Sequence, residues 1–107
     1  MMTLAEDPAD SDLLRRFTRE SDHQALGTLF ERRAGWAFRI ACAVLRDRSK
    51  AEDAVQEAFV QLLRKTSSWD SAQPFLPRLR ALVVGASLHR LRADRRRLAR
   101  EARAATP

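Results

Sequence analysis

The sequence predicts an all-α fold, a bundle of three principal helices preceded by a short N-terminal helix. Apolar residues recur at three- and four-residue spacings over long stretches, which is the period of an amphipathic helix. Only three glycines and four prolines occur in 107 residues, so the chain has little material for the many turns of a β-rich fold. With 45% hydrophobic and 32% charged residues, a single domain with a real core is expected.

The chain is predicted to begin with a disordered acidic leader and a short helix. Residues 1–10 are acidic and show no apolar period, which is typical of an unfolded terminus. The following sequence DLLRRFTRES places its apolar side chains on one side. Asp10, Ser11 or Asp12 is positioned to cap the start of this helix.

A second, long helix is predicted from about His23 to Leu45. Ser21 and Asp22 provide a break and a cap before it, and apolar residues then keep helical spacing for several turns. Residues 46–48 leave room only for a tight connection. The second and third helices are therefore expected to form an antiparallel hairpin.

The third helix, residues 49–65, is predicted to bury one face and to expose an acidic one. Ser49 and Glu52 fit a capping box at its start. An acidic face in an otherwise basic chain indicates a basic partner. The predicted buried stripe comprises Ala51, Ala54, Val55, Ala58, Phe59, Leu62 and Leu63, and the acidic face comprises Glu52, Asp53, Gln56 and Glu57.

Residues 66–74 are rich in Ser, Asp and Pro and are predicted to form the one substantial loop. Its Trp69 either stacks on a nucleic-acid base or folds back over the core. Pro74 and Pro77 suit the first turn of a last helix, where a missing N–H costs nothing. From Arg90 onward this helix is rich in arginine.

Positive charge is concentrated in the last third of the chain. Residues 74–107 carry nine arginines and two carboxylates, a net charge of +7, whereas the first 73 residues carry a net charge of −1. Arginines that neutralise phosphates release counterions, so a polyanion is a natural partner for the last helix. A merely solvated helix end is the alternative interpretation.

Other function classes find little support. The two histidines, His23 and His89, have no ligand-spaced partners, so neither a metal nor a cofactor is expected. The single Cys42 is interpreted as a buried structural thiol, and an enzyme is not predicted. The acidic start of the sequence is not predicted to be a secretory signal, and no apolar run comes near the roughly 18 residues needed to span a bilayer. A cytoplasmic location is therefore predicted.

The third helix contains the sequence DAVQEAF, residues 53–59, preceded by Ala-Glu and followed by Leu62 and Leu63. This segment resembles conserved region 2 of bacterial RNA polymerase sigma factors, of the sigma-70 type and the extracytoplasmic-function group. The surrounding pattern is similar over about residues 12–97. The resemblance implies a region 2 domain over residues 11–98, followed by a linker-like basic tail over residues 99–107.

The resemblance also implies partners and site residues. The third helix would dock on the clamp helices of the polymerase beta-prime subunit, and the loop and last helix would contact the promoter minus-10 element to start transcription. The implied polymerase-binding residues are Asp53, Gln56, Glu57, Phe59 and Leu63. The implied DNA-binding residues are Ser67, Ser68, Trp69, Ser71, Arg80, Arg90, Arg92, Arg95 and Arg96.

Three positions depart from the family pattern. Arg78 stands where a tryptophan is usual, and Gly85 and His89 stand where asparagine and aspartate are usual. Gly85 has no side chain for a DNA contact. The departures at Gly85 and His89 favour an alternative, an interaction module that binds polymerase or an anti-sigma partner without reading DNA. The arginines at 95–97 and the loop around Trp69 favour DNA contact, and a non-specific nucleic-acid-binding domain is a third interpretation.

Overall fold

The computed structural model describes residues 9–65 and 74–106, and these form four α-helices and no strand. The helices are α1 (Asp10–Glu20), α2 (His23–Leu45), α3 (Arg48–Arg64) and α4 (Phe75–Ala105). Helices α2, α3 and α4 pack against one another, and α1 packs on α2. The predicted all-α fold of three principal helices and a short first helix is confirmed.

The turn between α1 and α2 follows the sequence prediction. Ser21 adopts a left-handed conformation, with φ of 54°, and ends α1. The Asp22 carboxylate accepts a hydrogen bond from the backbone N–H of Ala25 at 3.1 Å and caps α2. The predicted bounds of α2, His23 to Leu45, are confirmed.

The turn between α2 and α3 corrects the predicted capping box. Arg46 is left-handed, with φ of 55°, and Asp47 is extended, so the connection takes only two residues. The Asp47 carboxylate accepts a hydrogen bond from the Lys50 N–H at 3.0 Å. The prediction that Ser49 caps α3 is wrong, because the shorter turn starts the helix at Arg48 and places Ser49 within its first turn.

Small residues on α3 let the bundle pack closely. Ala51, Ala54 and Ala58 are fully buried, and Val55, Phe59 and Leu62 complete the buried face. This confirms the predicted stripe, except that Leu63 is only partly buried. The Ser87 hydroxyl of α4 is also fully buried, and it donates a hydrogen bond to the Val83 carbonyl oxygen at 2.8 Å.

The start of α1 differs from both predictions made for it. The helix begins after Ala9, and no side chain caps it. Asp10 belongs to α1 rather than to a disordered leader, and its side chain is only 8% exposed. Its two carboxylate oxygens pair with Arg32 at 3.0 Å and with Arg33 at 2.7 Å on α2. These two ion pairs join the start of α1 to α2.

Helix α4 is the longest element, with 31 residues. Pro77 lies in its first turn, as predicted, whereas Pro74 is the residue before the helix. It continues without a break to Ala105, so no structural boundary marks the predicted change from domain to tail at residue 98. Residues 95–106 are exposed throughout. Within the described ranges, no helix is long and apolar enough to cross a membrane.

Candidate functional site

The exposed side of α3 carries the predicted acidic face. Asp53, Gln56 and Glu57, here called the acidic row, are all exposed and lie on the side of the helix away from the buried stripe. The Glu57 carboxylate accepts a hydrogen bond from the Gln61 amide at 3.0 Å. The row therefore offers solvated carboxylates on a rigid helix, a setting suited to charge-assisted contact with a basic partner.

An apolar surface borders the acidic row on its α2 side. Phe59, predicted at the edge of the row, is only 5% exposed. Its ring packs edge-to-face on Phe30 with centroids 4.9 Å apart, so it is largely withdrawn from the surface. Phe30 and Val60 are instead 38% and 39% exposed, and with the partly buried Leu63 they line a groove between α2 and α3.

Sequence analysis missed Val60 as a candidate contact residue. The signal was an apolar residue four positions after Gln56 and three after Glu57, on a face that is otherwise polar. An exposed β-branched side chain among polar groups supplies apolar contact area that carboxylates cannot. Phe30 gave no such signal, because its spacing fits the buried side of α2.

Two ion pairs join α3 to α4 on the other side of the acidic row. Lys50 pairs with Asp94 at 2.9 Å, and Asp53 pairs with Arg90 at 3.3 Å. The Asp94 side chain is 15% exposed and also pairs with Arg97 at 3.0 Å. The hydrogen bond from Lys50, reinforced by its charge and by Arg97, lowers the pKa of Asp94 below its ordinary value.

Positions 85 and 89 of α4 lie beside the acidic row. Gly85 and His89 line a groove between α3 and α4 together with Glu57 and Gln61. Both α4 residues are exposed, and a methyl group at Gly85 would meet no atom within 4 Å. The groove is open at this position because Gly85 has no side chain. No neighbouring element in the described part of the chain occupies the space that a Cβ atom would fill.

The far end of α4 carries a row of exposed arginines. Arg92, Arg95, Arg96, Arg100 and Arg103 form this arginine row, and none of them makes an ion pair within the described part of the chain. At 100° per residue, four of the five, all but Arg95, fall within about 80° of one another around the helix, over an axial distance of about 16 Å. These side chains can contact one extended polyanion.

The predicted DNA-binding residues do not form one cluster. Arg92, Arg95 and Arg96 lie on adjacent turns, whereas Arg90 turns towards α3 and pairs with Asp53. Arg80 lies about 18 Å nearer the start of α4 than Arg92, since twelve helical residues separate them. The other four predicted residues, Ser67, Ser68, Trp69 and Ser71, lie outside the described residues.

A metal centre or a reactive thiol would indicate another kind of site among the described residues. The helices and turns that the structure describes contain no group of three or more His, Cys, Asp or Glu residues that could hold a metal ion. Cys42 is partly buried and packs against the core. The described surface therefore has an acidic part on α3 and a basic part on α4.

The family model for sigma-70 region 2 matches residues 29–97. The match covers most of α2, all of α3 and α4 as far as Arg97, and so it includes the acidic row and the first part of the arginine row. Neither curated proteins nor solved structures gave a significant match. The matched segment is more than half of the chain, and the chain therefore belongs to the sigma-70 region 2 family, a family of non-enzymatic domains that act in transcription initiation.

Proposed function

We propose that this chain is the region 2 domain of a sigma factor of the extracytoplasmic-function group. It binds the clamp helices of core RNA polymerase through the acidic row, and it binds the promoter minus-10 element through α4 and residues 66–73. The observation that carries the proposal is the exposure of Asp53, Gln56 and Glu57 on one rigid helix inside the segment that matches the family.

The acidic row and its apolar border suit a basic helical partner. Lysine or arginine side chains of the polymerase would pair with Asp53 and Glu57, and these pairs favour fast association and correct orientation. Val60 and Phe30, each more than a third exposed, supply apolar area beside the charges. An apolar centre next to polar contacts is the usual arrangement of a protein interface.

The basic end of α4 suits a DNA backbone. The arginine row has no carboxylate partners among the described residues, so its guanidinium groups are available to phosphates. Base recognition in this proposal falls to residues 66–73, where Trp69 would stack on an unpaired base of the open minus-10 strand. Arg80, at the other end of α4, would contact the DNA backbone nearer to the bases held by residues 66–73.

A second candidate is an interaction module that binds polymerase or an anti-sigma partner without reading promoter sequence. Gly85 favours this candidate, because it leaves an open groove where a side chain could have contacted a base. The two candidates predict the same polymerase binding. They differ in whether the chain prefers minus-10 sequences over unrelated single-stranded DNA of the same length.

The test is a titration of the chain against core RNA polymerase. In the variant Asp53→Lys/Glu57→Lys, affinity should fall by about 2 to 4 kcal/mol, because two carboxylates that meet basic groups are replaced by repelling charges. The free energy of unfolding should change by less than about 1 kcal/mol, since only an exposed ion pair and an exposed side-chain hydrogen bond are lost.

The control for this titration reverses two charges elsewhere. Asp12 and Glu20 are carboxylates on α1, distant in sequence from the acidic row. The variant Asp12→Lys/Glu20→Lys should bind polymerase nearly as well as the wild type. Equal losses in both variants would show that only net charge matters, and no binding by the wild type would remove the polymerase part of the proposal.

A further inference from the structure

We propose that the ion pair between Asp53 and Arg90 couples the two binding surfaces of the chain. Asp53 belongs to the acidic row proposed to bind polymerase, and Arg90 is one of the arginines proposed to bind DNA. In the free chain the Asp53 carboxylate and the Arg90 guanidinium pair with each other. Binding at either surface frees the partner side chain for the second surface, so each ligand strengthens the binding of the other. The inference rests on the proposed function.

The geometry of the pair allows this exchange. The Arg90 Nη1 and the Asp53 Oδ2 are 3.3 Å apart, and the two side chains are 39% and 57% exposed. A contact of this length between solvated side chains is easily replaced by a better-placed phosphate or basic group. No other ion pair in the described ranges joins a member of the acidic row to an arginine of α4.

The neighbouring ion pair between Lys50 and Asp94 keeps α3 and α4 joined when the Asp53–Arg90 pair opens. Lys50 and Asp94 lie about one turn away along α3 and α4, at 2.9 Å. Asp94 is more enclosed than Asp53, at 15% exposed against 57%, and Arg97 holds it as well. The buried alanines of α3 also keep the two helices in contact. Opening the Asp53–Arg90 pair therefore requires side-chain rotation and leaves the packing of α3 on α4 unchanged.

The coupling is reciprocal and modest. If both ligands require the pair to be open, only the first to bind meets the cost of opening it, and each ligand then raises the affinity for the other by the same factor. Exposed ion pairs contribute little, so this factor is expected to be about two- to fivefold. Such a factor favours chains that engage polymerase and DNA together over chains that engage only one of them.

The first test measures binding of the free chain to a labelled single-stranded DNA of mixed sequence at moderate salt. Asp53→Asn should strengthen binding about two- to fivefold more than Glu52→Gln, which removes the same charge from an exposed residue without an ion pair. In an Arg90→Gln background this difference should vanish. Equal effects of the two variants, or a difference that persists without Arg90, would overturn the coupling.

The second test measures binding to core RNA polymerase without DNA. Arg90→Gln should strengthen binding about two- to fivefold relative to Arg19→Gln, an exposed arginine of α1, and Asp53→Asn should abolish the gain. If Asp53→Lys/Glu57→Lys weakens polymerase binding but Arg90→Gln behaves like Arg19→Gln, the coupling fails and the proposed function stands. If the wild-type chain does not bind polymerase, the proposed function itself fails.

Discussion

Arg32 and Arg33 of α2 and the arginines of the arginine row are the same type of residue in different surroundings. Arg32 and Arg33 converge on Asp10, a carboxylate only 8% exposed, and they fasten α1 to α2. The arginine row is exposed and makes no ion pair within the described helices. An arginine paired with a buried carboxylate contributes to the fold, whereas a solvated arginine can exchange water and counterions for a polyanion.

The largest expected effect comes from removing the carboxylate of the buried cluster. Asp10→Ala leaves two partly buried guanidinium groups without their acceptor, and the free energy of unfolding should fall by about 2 to 4 kcal/mol. Urea denaturation followed by circular dichroism measures it. Asp12→Ala, which breaks an exposed pair with Arg15 on the same helix, is the matched control and should cost less than about 0.5 kcal/mol. Equal losses would mean that the cluster contributes no more than a surface pair.

Replacing members of the arginine row is expected to affect DNA binding and to have little effect on stability. Replacing Arg92, Arg95 and Arg96 with alanine should change the free energy of unfolding little, since these side chains are exposed on a helix. The slope of log affinity for DNA against log salt should become shallower by about 2 to 3 units, near 0.9 per lost duplex phosphate contact. Replacing the three arginines of α1, Arg15, Arg16 and Arg19, removes the same charge. An equal change of slope there would assign DNA binding to net charge alone.

The smallest effect on stability is expected from Asp94. The exposure of its side chain lies between that of Asp10 in the buried cluster and that of the arginine row. Its folded pKa is lowered, chiefly by the Lys50 hydrogen bond. The ionised carboxylate therefore stabilises the fold fully above the ordinary aspartate pKa of about 3.9, and this contribution is lost as the pH falls towards the lower folded pKa. The difference in unfolding free energy between wild type and Asp94→Asn should be constant from neutral pH to about pH 5 and should shrink below about pH 4. A difference that grows on acidification would contradict the pairing.

The features predicted well are those set by helical periodicity. The bounds of α2 and the buried face of α3 follow from the spacing of apolar residues along one segment. Ser21 and Asp22 are predicted together as the break and the cap, and the structure divides these roles, with Ser21 ending α1 and Asp22 capping α2. The acidic row follows from the same spacing, since residues absent from the buried stripe must lie on the other face.

The features missed depend on distance in sequence or on competition between similar residues. Asp47 and Ser49 both have capping side chains, and only the two-residue turn decides between them. Asp10 is 22 residues from Arg32, so no local pattern connects them. Phe59 fits the buried stripe and the edge of the acidic row equally well, and its packing on Phe30 decides in favour of the interior.

The unbroken course of α4 gives the molecule a mechanical property. The helix leaves the bundle near Asp94, whose side chain still pairs with Lys50 of α3, and runs about 16 Å further to Ala105 without a hinge. Such a rod acts as a lever arm, because a rotation of the bundle by about 10° would carry its tip through about 3 Å. If α3 docks on the polymerase as proposed, the angle of docking determines where the arginine row contacts DNA. A small error at the docking surface would then be amplified at the other end of the rod.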